Sequence, residues 1–249
     1  MSSDFSGIIT RDNLNFYLNE LSKEYKRLGG RNTPIEITLI GGAVIVEKYG
    51  FRNMTTDVDA LIPKMGVFKD AVNAVGDRYG LSNGWLNSDF EKTASYSPNI
   101  IKYSVPYRTF NQVLQVRMMT DEYLIAMKLR SGREYKNDLS DIIGILADNE
   151  KNNTPIMFAD VDQAVNDLYG GWDDFPPVSL PFIKEIMSNG DYDQVYDTIR
   201  QTEQETKDDL LRFEQDYPNV LSDKNLNDIL RGLREKKEHM RGRGGMELS

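Results

Sequence analysis

Asp57 and Asp59 are separated by a single residue within Thr55-Thr56-Asp57-Val58-Asp59-Ala60-Leu61-Ile62. In an extended chain that spacing puts both carboxylates on one face, roughly 7 Å apart along the strand, with Val58, Ala60 and Ile62 on the other. Two carboxylates so placed can hold one or two hard cations. Magnesium, which keeps several waters and takes a few carboxylates together with substrate phosphates, suits them, and manganese can stand in for it. Upstream, Gly41 and Gly42 close an apolar run and precede a segment of helical length. Glycines at a helix N-terminus let unpaired N–H groups and the helix dipole approach phosphate oxygens closely. A metal-holding pair and a phosphate cradle in one stretch describe a site for a nucleoside triphosphate.

The elements that must position these groups follow from the pattern around them. Residues 35–40 alternate, with Ile35, Ile37 and Leu39 on one face and Glu36, Thr38 and Ile40 on the other, which predicts a strand ending at the glycine pair. Ala43 to Tyr49 then reads as a short helix stopped by Gly50, and Thr55 to Ile62 as the strand that carries the carboxylates. Each feature has an ordinary alternative. A glycine pair before a helix is common turn chemistry, and Asp-x-Asp at a strand end also keeps an edge soluble.

A strand, a glycine pair, a short helix and a strand with Asp-x-Asp together resemble the nucleotidyltransferase superfamily of the polymerase-β type. The chain is similar in particular to the bacterial nucleotidyltransferase-like proteins that include the abortive-infection toxins of type IV toxin–antitoxin systems. Those relatives often read glycine-glycine, an arginine, then threonine-x-Asp-x-Asp; here Arg52 and Thr56 take those places, with Thr56 directly before Asp57. The resemblance runs from about residue 35 to about residue 147 and returns at Asp121 to Ile143, where Lys128, Arg133, Asp138 and Asp141 match by order and spacing. It implies Asp57 and Asp59 as metal ligands and Lys128 as the cation that neutralises the triphosphate. Gly41, Gly42, Arg52, Thr56, Arg133 and Asp138 would complete the nucleotide site. It also implies a nucleoside triphosphate as substrate, an RNA (tRNA) or protein hydroxyl as acceptor, and a toxin held in check by an antitoxin protein. Read without the resemblance, Lys128 and Arg133 are ordinary at a helix C-terminus, and Asp138 and Asp141 only complement a helix N-terminus.

Such transferases place a third carboxylate on a neighbouring strand, as general base or further metal ligand. The segment Asn111 to Met118 has no Asp or Glu, which leaves Asp121, Asp89 and Glu91 as substitutes. The alternative is therefore a catalytically degenerate nucleotide-binding or protein-interaction module of the same fold.

The remaining chain predicts an α+β protein, with a small mixed sheet flanked by helices over 1–150 and a mainly helical region over 151–249. Helices are expected at residues 11–28, 67–79, 121–130 (N-capped by Thr120) and 138–149, then at 160–169, 181–189 and 191–216, with a last one capped by Ser222. Gly170 to Pro177 reads as a loop. Residues 80–98 read as a loop with a helical turn near Leu86 to Lys92. Asn99 to Ser104 and Asn111 to Met118 read as an antiparallel hairpin beside the Asp-x-Asp strand. Gln201 to Asp209 is polar for a packed helix and is expected to project into solvent or meet a partner. A net charge of −9 among 249 residues argues against broad electrostatic binding to nucleic acid, although the basic run Arg231 to Arg243 could touch RNA locally. Without cysteine there are no disulfides, thiolate zinc sites or thiol nucleophiles; with His239 the single histidine, paired-histidine zinc sites are excluded as well. The N-terminus lacks the features of a signal peptide and no apolar run is long enough to span a membrane, so the expectation is a cytoplasmic protein.

Overall fold

The first apolar stripe of the chain becomes the helix that the sequence predicts. A computed structural model describes residues 7–62, 66–133, 135–222, 225–226, 228–233 and 235–236. In it β1 (Ile9–Thr10) leads into α1 (Arg11–Arg27), where Asn13 Oδ1 accepts the Thr10 N–H at 2.8 Å and Leu14, Tyr17, Leu18, Leu21 and Tyr25 are all buried. Next come β2 (Ile35–Leu39), α2 (Gly41–Lys48), β3 (Met54–Thr55), β4 (Val58–Leu61), α3 (Gly66–Tyr79) and β5 (Leu86–Asn87). The hairpin β6 (Ser104–Phe110) and β7 (Leu114–Met119) follows, then α4 (Asp121–Ser131), α5 (Asp138–Lys151), α6 (Phe158–Tyr169), α7 (Ser179–Asn189) and α8 (Tyr192–Asp216). Beyond α8, residues 228–233 are helical, while His239 and the basic run past residue 236 lie outside the described residues.

The sheet has the order β5-β4-β2-β7-β6. Central β2 runs antiparallel to β4, with Leu39 opposite Ala60, and parallel to β7, with Ile37 opposite Val116. Parallel pairing on one side and antiparallel on the other makes the sheet mixed, within the expected α+β class. Ile35, Ile37 and Leu39 are buried, as the alternation requires. Helix α4 is buried from Tyr123 to Leu129 without a polar face there, because α5, α6 and α7 all pack against it. Val161, Ala164, Val165 and Leu168 of α6 and Ile183 and Ile186 of α7 join the same hydrophobic core as the sheet.

Four local readings differ. Residues 100–103 form a 3₁₀ turn, and the first hairpin strand begins only at Ser104. It runs through Pro106, which an edge strand tolerates because no partner needs the missing N–H, and its register shifts between Pro106 and Arg108. The reversal falls at Asn111 and Gln112, both at positive φ, so Asn111 belongs to the turn and not to the strand. The hairpin sits beside β2. The place next to the carboxylate strand is taken by β5, whose two residues are too short to show an alternation. Thr120 occupies the N-cap position of α4, yet its hydroxyl bonds Glu122 at 2.9 Å instead of the helix backbone.

Phe51 links the front of the sheet to the helical half. Its ring stacks on Tyr49 and meets Tyr196 of α8 edge-on, and a Cβ on Gly144 of α5 would lie 2.6 Å from it. Alanine normally outranks glycine in a helix by about 1 kcal/mol. Here Gly144→Ala is expected to lower stability instead, by about 1–3 kcal/mol, in urea unfolding. An unchanged midpoint would mean that the ring is free to move aside.

Candidate active site

The turn from β2 into α2 sits beneath the carboxylates of the neighbouring strand. Ile40 donates its N–H to the Asp59 carbonyl at 3.0 Å. Gly41 follows at φ +61°, and a Cβ there would stand 3.2 Å from Asp59 Oδ2. The position therefore demands glycine twice over, for its backbone and for its bareness. Above it opens a cavity of about 210 Å³ bordered by Gly41, Asp57, Asp59, Lys128, Arg133, Lys136 and Asp138, with Asn87, Asp89 and Phe90 on the adjoining wall.

The far wall rests on a buried cluster of ions. Lys128, projecting from α4 and 7% exposed, lies 3.0 Å from Asp138 and 2.8 Å from Asp141, both in the first turn of α5 and at most 2% exposed. Arg133 Nε reaches Asp138 at 2.9 Å, and Arg52 Nη1 reaches Asp141 at 2.6 Å. Three cations thus share two carboxylates. Burial by itself would lower the Lys128 ammonium, but Asp141 and Asp138 outweigh it and hold the group above its usual value. Against the cost of its own burial, the charges of Lys128 and Arg133 hold Asp138 well below the ordinary carboxylate range. For Lys136 the balance falls the other way: burial, then the charge of Arg133, pushes it down, and Asp138, Asp57 and Asp59 offset this only in part. Asp59 is disturbed in the opposite sense, raised to about 6 by burial and then by the charge of Asp57.

The cavity therefore gathers Gly41, Asp57, Asp59, Lys128, Arg133 and Asp138 from the predicted set, and leaves Gly42, Arg52 and Thr56 off its wall. A Cβ on Gly42 would come within 2.8 Å of Thr55 Oγ1 and 2.9 Å of Arg52 Nη2, so this glycine clears the path by which Arg52 reaches Asp141. The exposed Thr56 directs its hydroxyl at Asp57 from 3.5 Å. Asp57 itself precedes β4, although it faces the same cavity as Asp59. Of the substitutes for a third acid, Asp121 pairs with Lys48 and Asn149 away from the wall, and Glu91 is not on the wall either. Asp89 is on it, exposed and paired with Lys92.

Among the described residues no group of three His, Cys, Asp or Glu is arranged to hold a metal, so a cation would have Asp57 and Asp59 as its protein ligands. Several wall residues were missed by the sequence reading, Lys136 and Asn87 among them. Lys136 stands between Arg133 and Asp138, and that shared stretch was its signal; Asn87 is brought opposite Asp59 only by the pairing of β5 with β4. Compared with protein-family models, with curated proteins and with solved structures, the chain matches none. No helix among the described residues is long and apolar enough to cross a membrane.

Removing Lys128 takes from Asp138 and Asp141 the buried partner they share and leaves each with one arginine. Lys128→Met is expected to cost about 3–5 kcal/mol in urea unfolding, whereas Lys136→Met, deleting an ammonium already disfavoured, should cost under about 1 kcal/mol. Equal losses in the two variants would contradict the pairing described.

Asp59 supplies a pH test. Its folded pKa lies above its unfolded one, so between about 4 and about 6 the native state keeps a proton that the unfolded chain has released, and stability falls as pH rises through that window. Asp59→Asn should match the parent below pH 4 and exceed it by about 3 kcal/mol above pH 7, without divalent metal. A constant difference across that range would show that Asp59 titrates normally.

Proposed function

We propose that this cavity binds a nucleoside triphosphate with magnesium and transfers its nucleoside monophosphate to an acceptor hydroxyl. The observation that carries the reading is the gathering of Asp57 and Asp59 with Lys128, Arg133 and Lys136 around one cavity at the glycine-opened N-terminus of α2. The donor set fits magnesium, or manganese in its place: two carboxylates, in no ion pair among the described residues, leave the other positions to water and phosphate. Bound there, the metal would neutralise phosphate charge and polarise the α-phosphoryl group.

The chain's own groups divide the remaining work. Backbone at Gly41 offers N–H groups to phosphate oxygens. Lys128 is already balanced by two carboxylates and contributes a fixed positive field, whereas Arg133 and Lys136 carry the charge that remains for the β- and γ-phosphates. The acceptor oxygen forms a bond to the α-phosphorus as the bond to the bridging β-phosphate oxygen breaks. Pyrophosphate leaves with that electron pair, and the hydroxyl proton passes to Asp89. The resemblance to nucleotidyltransferase toxins supports an RNA (tRNA) or protein hydroxyl as acceptor, and an antitoxin protein as partner.

A second reading, nucleotide binding without transfer, is favoured by one observation: no third carboxylate joins Asp57 and Asp59 in a metal-holding group among the described residues.

Calorimetric titration with ATP, GTP, CTP and UTP, with and without magnesium, tests both. Binding should require magnesium and weaken at least about tenfold in the Asp57→Asn, Asp59→Asn double variant. Label transfer to RNA or protein would then separate an enzyme from a binding module. If none of the four nucleotides binds the folded protein, both readings fail.

A further inference from the structure

Helix α5 begins without a cap of its own. Asn137 holds the N-cap position and makes no side-chain bond to the helix, so the N–H groups of the first turn need other acceptors. They find one on a distant helix. Glu203 of α8, 3% exposed, takes the Leu139 N–H at 2.9 Å and the Ser140 N–H at 3.2 Å on Oε1, and the Ser140 hydroxyl at 2.5 Å on Oε2. The cap is supplied across 63 residues of sequence. The same turn of α5 carries Asp138 and Asp141, which hold Lys128, Arg133 and Arg52. Two turns earlier on the same face of α8, Tyr196 donates its hydroxyl to the Phe51 carbonyl at 3.2 Å, immediately before Arg52. One helix thus grips two of the segments from which the cation cluster is assembled, and none of its residues lines the cavity.

We propose that Glu203 is a positioning residue of the site: by capping α5 from α8 it fixes Asp138 and Asp141, and through them the placement and charge of Lys128 and Arg133. Removing the cap frees three donors and lets the first turn of α5 fray. The two carboxylates then move away from Lys128, whose ammonium becomes both more accessible and easier to deprotonate. The effect on nucleotide affinity rests on the function proposed above; the effect on Lys128 does not.

The experiment acylates the full-length protein with an amine-reactive reagent and follows Lys128 by peptide mass, beside magnesium–nucleotide titration of the same samples. Glu203→Ala should raise the rate of Lys128 labelling by about tenfold and weaken nucleotide binding by a similar factor. Glu203→Gln, which keeps an acceptor for the two N–H groups, should stay within about twofold of the parent on both measures. Leu210→Ala, which loosens the buried side of α8 without touching the cap, serves as the control and should leave Lys128 unchanged. A folded Glu203→Ala protein that labels like the parent overturns the proposal, as does a Leu210→Ala protein that labels as fast as Glu203→Ala. If Glu203→Ala does not fold, Ser140→Ala removes one of the three bonds and is read the same way: faster Lys128 labelling supports the cap, and an unchanged rate overturns it. Should the parent bind no nucleotide, the nucleotide reading fails while the labelling still decides the role of Glu203.

Discussion

The buried pairing of Lys128 with Asp138 and Asp141 is the constraint on which the site depends. An ammonium placed almost out of water would be neutral without a partner, and a carboxylate as buried as Asp138 would take up a proton. Each group keeps its charge because the others keep theirs. Such an arrangement contributes little to net stability, since desolvation consumes most of the attraction, but it is intolerant of loss: deleting one member takes a close partner from the buried groups that remain. Its effect is to fix geometry. Helices α4 and α5 are locked in one register, and Arg52 and Arg133 are drawn in from two separate loops to complete the balance.

The charge of this cluster is organised inwards, and that alters the part each cation can take. Lys128 lies at the wall with its charge already answered, so its value to an anion is a fixed field, not a flexible contact. Arg133 shares a single carboxylate with Lys128 and has the more exposed side chain. Lys136 makes no ion pair among the described residues, and burial and then the charge of Arg133 lower its affinity for a proton. Preorganised charge of this kind needs little rearrangement when an anion arrives.

The sequence was most legible where a residue's role is local. The stripe of α1, the alternation of β2 and the glycine turn before α2 arise from contacts within a few residues or with one face of the core, and periodicity records them. The gathering of Asp59, Lys128, Arg133 and Asp138 was an expectation of the resemblance; read alone, Lys128, Arg133 and Asp138 are ordinary helix-end residues. What could not be read were relations between segments. The two residues of β5 become a strand only because β4 offers an open edge, and Asn87 reaches Asp59 by that pairing alone. Arg52 looks like a phosphate ligand in the sequence and is instead turned to Asp141 behind Gly42. The polarity of Gln201 to Asp209 suggests a solvated or partner-facing helix, yet Glu203 and Thr206 are buried, because the partner of that stretch is α5 of the same chain.

Two groups of the cavity are pushed toward their neutral forms, and they bear on what would complement it. Asp59 is raised to about 6 because burial and Asp57 disfavour its negative charge, and Lys136 is lowered because burial and Arg133 disfavour its positive one. Each sits near its own kind: carboxylate beside carboxylate, ammonium beside guanidinium. A cation alone would relieve the first pair and worsen the second; a polyanion alone would do the reverse. A ligand that presents a divalent cation to Asp57 and Asp59 while directing phosphate oxygens at Arg133 and Lys136 satisfies both at once. Those are the charges that the magnesium–nucleoside triphosphate we propose would carry to the cavity together.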